Sequence, residues 1–192
     1  TGANIRNLSL INVSISGKHL VGALVGSAVN AQIENCFIDG FVIGNVHVGG
    51  LVGNSSIAVI KFCKTSVDVN GTQKVGGLVG ITDNSQISQS SSRGTVYGTE
   101  LITGGLIGGN GNQSEVIDSY SESNVSGIVW TGGFVGLNAM NSSIIRSYSS
   151  GLIINIQGGN QYGGLSGGNE NNATIFHSFW DINSSGQSTS AG

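Results

Sequence analysis

One six-residue stretch constrains this chain more than any other. Val-Gly-Gly-Leu-Val-Gly stands at Val48–Gly53 and again at Val75–Gly80. Looser copies occupy Val21–Gly26, Thr103–Gly108, Thr131–Gly136 and Tyr162–Gly167. The second residue of each copy is Gly22, Gly49, Gly76, Gly104, Gly132 and Gly163, so successive steps are 27, 27, 28, 28 and 31 residues. A fixed period of this size is the mark of a solenoid or array, whose units bury their apolar faces only by stacking on one another.

Two further ladders keep the same period. Ile33, Ile60, Ile87, Val116, Ile144 and Ile175 form one. Three residues on come Cys36, Cys63, Ser90, Ser119, Ser147 and Ser178, followed by Phe37, Lys64, Ser91, Tyr120, Tyr148 and Phe179. The other ladder is Val42, Val69, Val96, Val125 and Ile156, each two residues before Gly44, Gly71, Gly98, Gly127 and Gly158. Each unit therefore holds three short β-prone segments, with Gly and Asn at the joins, where corners call for positive φ. No segment keeps a helical period. Asn4–Gly17 reads as a partial repeat lacking its Gly-Gly-Leu segment.

The expected fold is all-β: a parallel β-solenoid of about six coils, three short strands per coil, forming a single domain over residues 1–192. Equivalent residues of successive coils would lie about 4.8 Å apart. The Gly pair is expected to serve close packing rather than a ligand. Gly is 33 of 192 residues, there is no Pro, and 9% of residues are charged, too few for a disordered charged tail. Net charge is −3 with scattered basic residues, which excludes a nucleic-acid footprint. No apolar run reaches the ~20 residues of a membrane helix, so no insertion is expected.

Gly50-Leu51-Val52-Gly53 and Gly77-Leu78-Val79-Gly80 resemble the GLUG motif, a repeat of bacterial and archaeal surface proteins. The tail from Ser178-Phe179-Trp180-Asp181 to Gly192 resembles the segment that closes such arrays, so the likeness runs over about residues 20–192. It departs at Gly164-Leu165-Ser166-Gly167, where Ser replaces Val or Ile. The family includes filamentous-haemagglutinin-like adhesins and non-catalytic parts of immunoglobulin A proteases. The resemblance implies a β-solenoid in a secreted or cell-surface protein, and no catalytic residues.

The residues themselves point the same way. Asp39, Glu122 and Asp181 share a column, but Arg93, Ser66 and Ser150 interrupt it. Glu115, Asp118 and Glu122 form the densest acidic cluster, and a solvated outer face accounts for it better than the paired carboxyls of a glycosidase. Glu34 over Lys61 and Asp118 near Arg146 read as register-supporting charge pairs. His19, His47 and His177 lie far apart in the repeat frame, and Gly108–Asn112 lacks the Asp of calcium-binding coils, so neither metal nor cofactor is expected. Asp83-Asn84 and Glu170-Asn171-Asn172 read as turn residues.

Cys36 and Cys63 fill the same slot of consecutive coils, within reach of a disulfide or equally as two buried thiols. Candidate N-glycosylation sequons begin at Asn7, Asn12, Asn54, Asn70, Asn112, Asn124, Asn141, Asn172 and Asn183. The Phe37, Tyr120, Tyr148 and Phe179 column, with Trp180 beside it, is either an aromatic ladder inside the tube or a sugar-stacking platform.

The expected function is a non-enzymatic structural or adhesive module of an extracellular protein, acting as a stalk or a self-associating fibre subunit. The alternative is polysaccharide binding on a flat face; polysaccharide cleavage carries least weight. No cap is visible in the sequence at either end, so the terminal coils are expected to meet flanking repeats or neighbouring copies.

Overall fold

The structure is a computed structural model and describes residues 2–192, with residues 157 and 158 placed only as part of their strand. The chain winds as a parallel β-solenoid with three sheets, each built from one strand or strand pair per coil. The first sheet stacks Asn4–Arg6, Gln32–Glu34, Val59–Lys61, Gln86–Ser88, Glu115–Ile117, Ser143–Ile145 and Thr174–Phe176. The second and widest carries segments such as Lys64–Gly76 and Asn124–Gly132. The third stacks Val25–Val29, Val52–Ser56, Val79–Asp83, Ile107–Gly111, Val135–Asn138 and Ser166–Asn169.

The Ile ladder is in register throughout. Ile60 pairs with Ile33 and Ile87, and all three are buried. Val116, Ile144 and Ile175 continue the column, and Ile5 begins it. Asn4–Gly17 is therefore no fragment: with Val21–Gly26 it makes a whole first turn. Counted this way, the incomplete turn lies at the other end, in Thr174–Phe176 and Phe179–Trp180.

One rung of the Val ladder moves. Val42, Val69, Val96 and Val125 stack as expected, but Val125 pairs with Ile153, not Ile156. Gly127 likewise meets Asn155, not Gly158. Between these rungs and the next, Gly127 to Val129 is matched by Asn155 to Asn160. The three extra residues account for the 31-residue last step; a register counted back from Gly163 passes over them and lands on Ile156.

The motif glycines answer to space rather than to φ. A Cβ on Gly49 would come within 2.1 Å of the Val52 carbonyl oxygen, and one on Gly50 within 2.1 Å of the Gly77 oxygen in the next coil. The Leu that follows, as at Leu51, Leu78 and Leu106, points into the core and is fully buried. Positive φ falls instead on three columns of non-glycine residues, one per corner. Asn35, Phe62, Gln89, Asp118 and Arg146 stand at one, and Asn30, Ile57, Asn84 and Asn141 at another. Leu20, His47, Lys74, Ile102, Trp130 and Gln161 stand at the third. The corners thus impose the left-handed conformation even where Ile or Trp must take it.

The C-terminal end is capped, against expectation. After Trp180 a single helical turn, Ile182–Ser185, starts at Asp181, whose carboxylate accepts from the Asn183 N–H at 2.9 Å, and stops at Gly186. The chain then folds back along the last coil. Gly164 N–H donates to Thr189 O, Ser166 N–H to Ser190 Oγ, and Ala191 N–H to Ser166 O, at 2.9, 2.9 and 3.1 Å. Gly and Ser without a periodic pattern gave no sign of this, because the contacts are made by backbone and one hydroxyl. At the first coil, Ile5, Leu10, Val13 and Ile15 are only half-buried, unlike their fully covered equivalents inside the rod.

Ile60 tests the stack. Ile60→Ala is expected to lower stability by about 2–5 kcal/mol, as a core truncation between two fixed neighbours does. Chemical unfolding followed by circular dichroism measures it.

Candidate functional site

The polar residues inside the solenoid form ladders of their own. In the column after the Ile strand, each Ser hydroxyl donates to the carbonyl two residues back: Ser90 to Ser88 at 2.8 Å, Ser119 to Ile117 at 2.9 Å and Ser147 to Ile145 at 3.0 Å. Each oxygen then accepts the N–H of the same column in the preceding coil, from Cys63, Ser90 and Ser119 at 3.1, 3.2 and 3.3 Å. Ser85, Ser114 and Ser142 repeat the device at the neighbouring corner. Buried backbone donors at corners are costly unless paired, and a serine at each rung pairs them.

Cys36 and Cys63 take the first two rungs of the serine column. Both thiols are free and buried. Cys63 Sγ lies 3.3 Å from Lys61 O, and burial pushes its thiol up to about 12, which suppresses the nucleophilic thiolate.

A third ladder was not read from the sequence. Thr82 Oγ1 donates to Asn110 Oδ1 at 2.7 Å, Asn110 Nδ2 to Asn138 Oδ1 at 2.8 Å, and Asn138 Nδ2 to Asn169 Oδ1 at 2.8 Å. Asn110 and Asn138 are buried. The signal was present: Ala28, Ser55, Thr82, Asn110, Asn138 and Asn169 each stand three residues after the fifth motif position. Asparagine in a Gly-rich run reads as a turn residue, which hid the column.

The outward face of the second sheet carries the candidate chemistry. At its edge the strand residues alternate. Phe37, Lys64, Ser91, Tyr120, Tyr148 and Phe179 are paired in register along one column. The next residues point inward, where Thr65, Ser92 and Ser149 donate to the carbonyls of Gly77, Gly105 and Gly164 at 2.9, 2.7 and 2.7 Å. Trp180 takes the last inward place, against Gly164, its Nε1 donating to Gln187 O at 2.9 Å. The aromatic column is not inside the tube: Phe37 and Phe179 are exposed and the two tyrosines half-buried. Tyr120 and Tyr148 stack at 5.1 Å, Tyr148 and Phe179 at 5.5 Å, both with planes 6° apart. Their faces are turned along the rod, toward one another, so they do not form a flat sugar platform.

The three carboxylates of the acidic cluster, Glu115, Asp118 and Glu122, are each engaged by an adjacent coil. Arg93, in the column of Asp39 and Ser66, pairs with Glu122 at 2.8 Å. Arg146 grips Asp118 with two bonds of 2.7 and 2.9 Å, and Gln86 donates to Glu115 at 3.0 Å. The guanidinium holds Asp118 below the usual carboxylate range, and the Asn183 N–H does the same for Asp181. A general acid needs the opposite shift. Glu34 and Lys61 share register, but no ion pair forms there; the Lys61 ammonium lies 4.6 Å over the Phe62 ring.

His19 and His47 are nearer than the repeat frame suggested. They occupy adjacent-coil corners one residue out of register, while His177 stacks on Phe176 at 3.8 Å. Among the described residues, no three His, Cys, Asp or Glu side chains are grouped to hold a metal. Of the sequon asparagines, Asn54 and Asn70 are half-buried and the other seven exposed. Asn7, Asn12, Asn112, Asn141 and Asn172 have positive φ. At Asn112-Gln113-Ser114 the corner takes Asn and the ladder takes Ser, so the fold itself writes a sequon.

Residues 71–97 match the profile of the GLUG motif family. Among solved structures, the chain is similar to a crystal structure from Bacteroides ovatus of a protein described as a putative immunoglobulin A1 protease. Sequence identity is 22% and the TM-score 0.70, over 93% of this chain and 60% of that one, so the likeness concerns the fold. This chain thus spans less than two thirds of that protein's length. No curated protein matches.

Two outcomes follow from these geometries. Asn138→Ala would orphan the buried Asn110 Nδ2, at about 1–3 kcal/mol, and remove a donor from the half-buried Asn169 Oδ1, measured by urea unfolding. His47 has a buried Nδ1 without a partner, and burial, then Lys74 and His19, lower its pKa. The folded state therefore binds its proton less readily than the unfolded one. Stability is expected to fall as pH drops below about 6.5, where the unfolded imidazole charges first. His47→Asn, which keeps a residue suited to positive φ, is expected to flatten the melting temperature between pH 7.5 and 5.

Proposed function

We propose that this chain is a non-enzymatic structural module, a stalk or spacer, of an extracellular cell-surface protein. The observation that carries the reading is the destination of its polar side chains. Serine and asparagine ladders, and the pairs Arg93–Glu122 and Arg146–Asp118, all join one coil to the next. Such side chains are spent on axial cohesion rather than gathered at a convergent centre. The GLUG match and the fold shared with the Bacteroides ovatus protein support an extracellular setting, since immunoglobulin A1 is met outside the cell.

Incubation with acidic and neutral polysaccharides is expected to release no product. Cleavage that disappears in Glu115→Gln or Glu122→Gln would overturn the reading.

A further inference from the structure

The aromatic column is broken at one rung. Tyr148 covers one face of Tyr120, with parallel rings 5.1 Å apart. The opposite face of Tyr120 is turned toward the preceding coil, where its Cα partner is Ser91. A serine does not reach far enough to fill a ring's place. The result is a notch of about 330 Å³, floored by buried Ser91 and bounded across the gap by Lys64 and Phe37. The Arg93–Glu122 pair forms one flank.

These surroundings have two characters. The free Tyr120 face is apolar and rich in π-electron density, and attracts polarised C–H groups. The flank offers a guanidinium, a carboxylate and the Ser66 hydroxyl within one coil's reach. A pyranose has the matching duality: a face of C–H bonds and a rim of hydroxyls. An aromatic side chain of a protein partner would use the ring face alone. The charge narrows the class further. Arg93 and Glu122 offset one another, and among the described residues no carboxylate lies within ion-pair distance of Lys64. The notch therefore carries one uncompensated positive charge.

We infer that this notch binds a carboxylate-bearing pyranose, a uronic acid residue of an acidic polysaccharide. Its ring takes the missing rung on Tyr120 and its carboxylate meets Lys64. Stacking supplies orientation, and the lysine supplies the preference for acid over neutral sugar.

The 192-residue protein would be titrated with tetragalacturonate and with cellotetraose by calorimetry and NMR. Tetragalacturonate is expected to bind about tenfold or more tightly than cellotetraose, and to weaken as salt is raised. Tyr120→Ala should cost about tenfold or more, and Lys64→Gln should erase the preference for the acidic ligand. Ser91→Phe fills the rung with a protein ring: binding should vanish while the melting temperature holds or rises. Equal affinity for both sugars, no binding of tetragalacturonate at millimolar concentration, or binding unchanged in Ser91→Phe would each overturn the proposal.

Discussion

Everything in this molecule depends on parallel backbone pairing between successive coils. Once each strand hydrogen-bonds in register to the strand 27 to 31 residues on, every side chain stands over its counterpart at the strand spacing. Like must then tolerate like. Ile on Ile fills the first sheet, Leu on Leu the motif corner, and Gly on Gly the places where two backbones nearly touch. Substitutions along one column are free only within the volume and polarity that the neighbouring rungs accept.

The same constraint explains the polar interior. A solenoid corner leaves backbone donors facing inward at every turn. Serine answers this locally, since its hydroxyl gives to its own strand and receives from the coil before. The asparagines instead satisfy one another along the axis, with donor and acceptor on one amide, and the chain Thr82–Asn110–Asn138–Asn169 is polarised in one direction. Interactions of this kind strengthen one another in a low-dielectric interior. They also make the columns intolerant of a single gap.

Much of the fold was legible because periodicity is a global property. The Ile and Val columns, the three strands per coil and the Asp118–Arg146 pair follow from alignment alone. What escaped were local insertions and backbone chemistry. Ile153 displaced Ile156 because three residues bulge from the last coil, and a count from one anchor cannot locate them. The corners took positive φ at Leu20, Ile102 and Trp130, residues that would never be nominated for it, because pairing on both sides outweighs their preference. The outward stacking of Tyr120 and Tyr148 was hidden for a similar reason: a column shows which residues are neighbours but not which side of the sheet they occupy.

The tail that folds over the last coil acts on one sheet alone. The segment Gly164–Ser166 already commits its outward donors and acceptor to Thr189, Ser190 and Ala191. Thr174–Phe176, at the end of the first sheet, pairs only with Ser143–Ile145 and is not covered by this clasp. A strand laid against the motif corner must therefore first dislodge the tail, which works there as a latch.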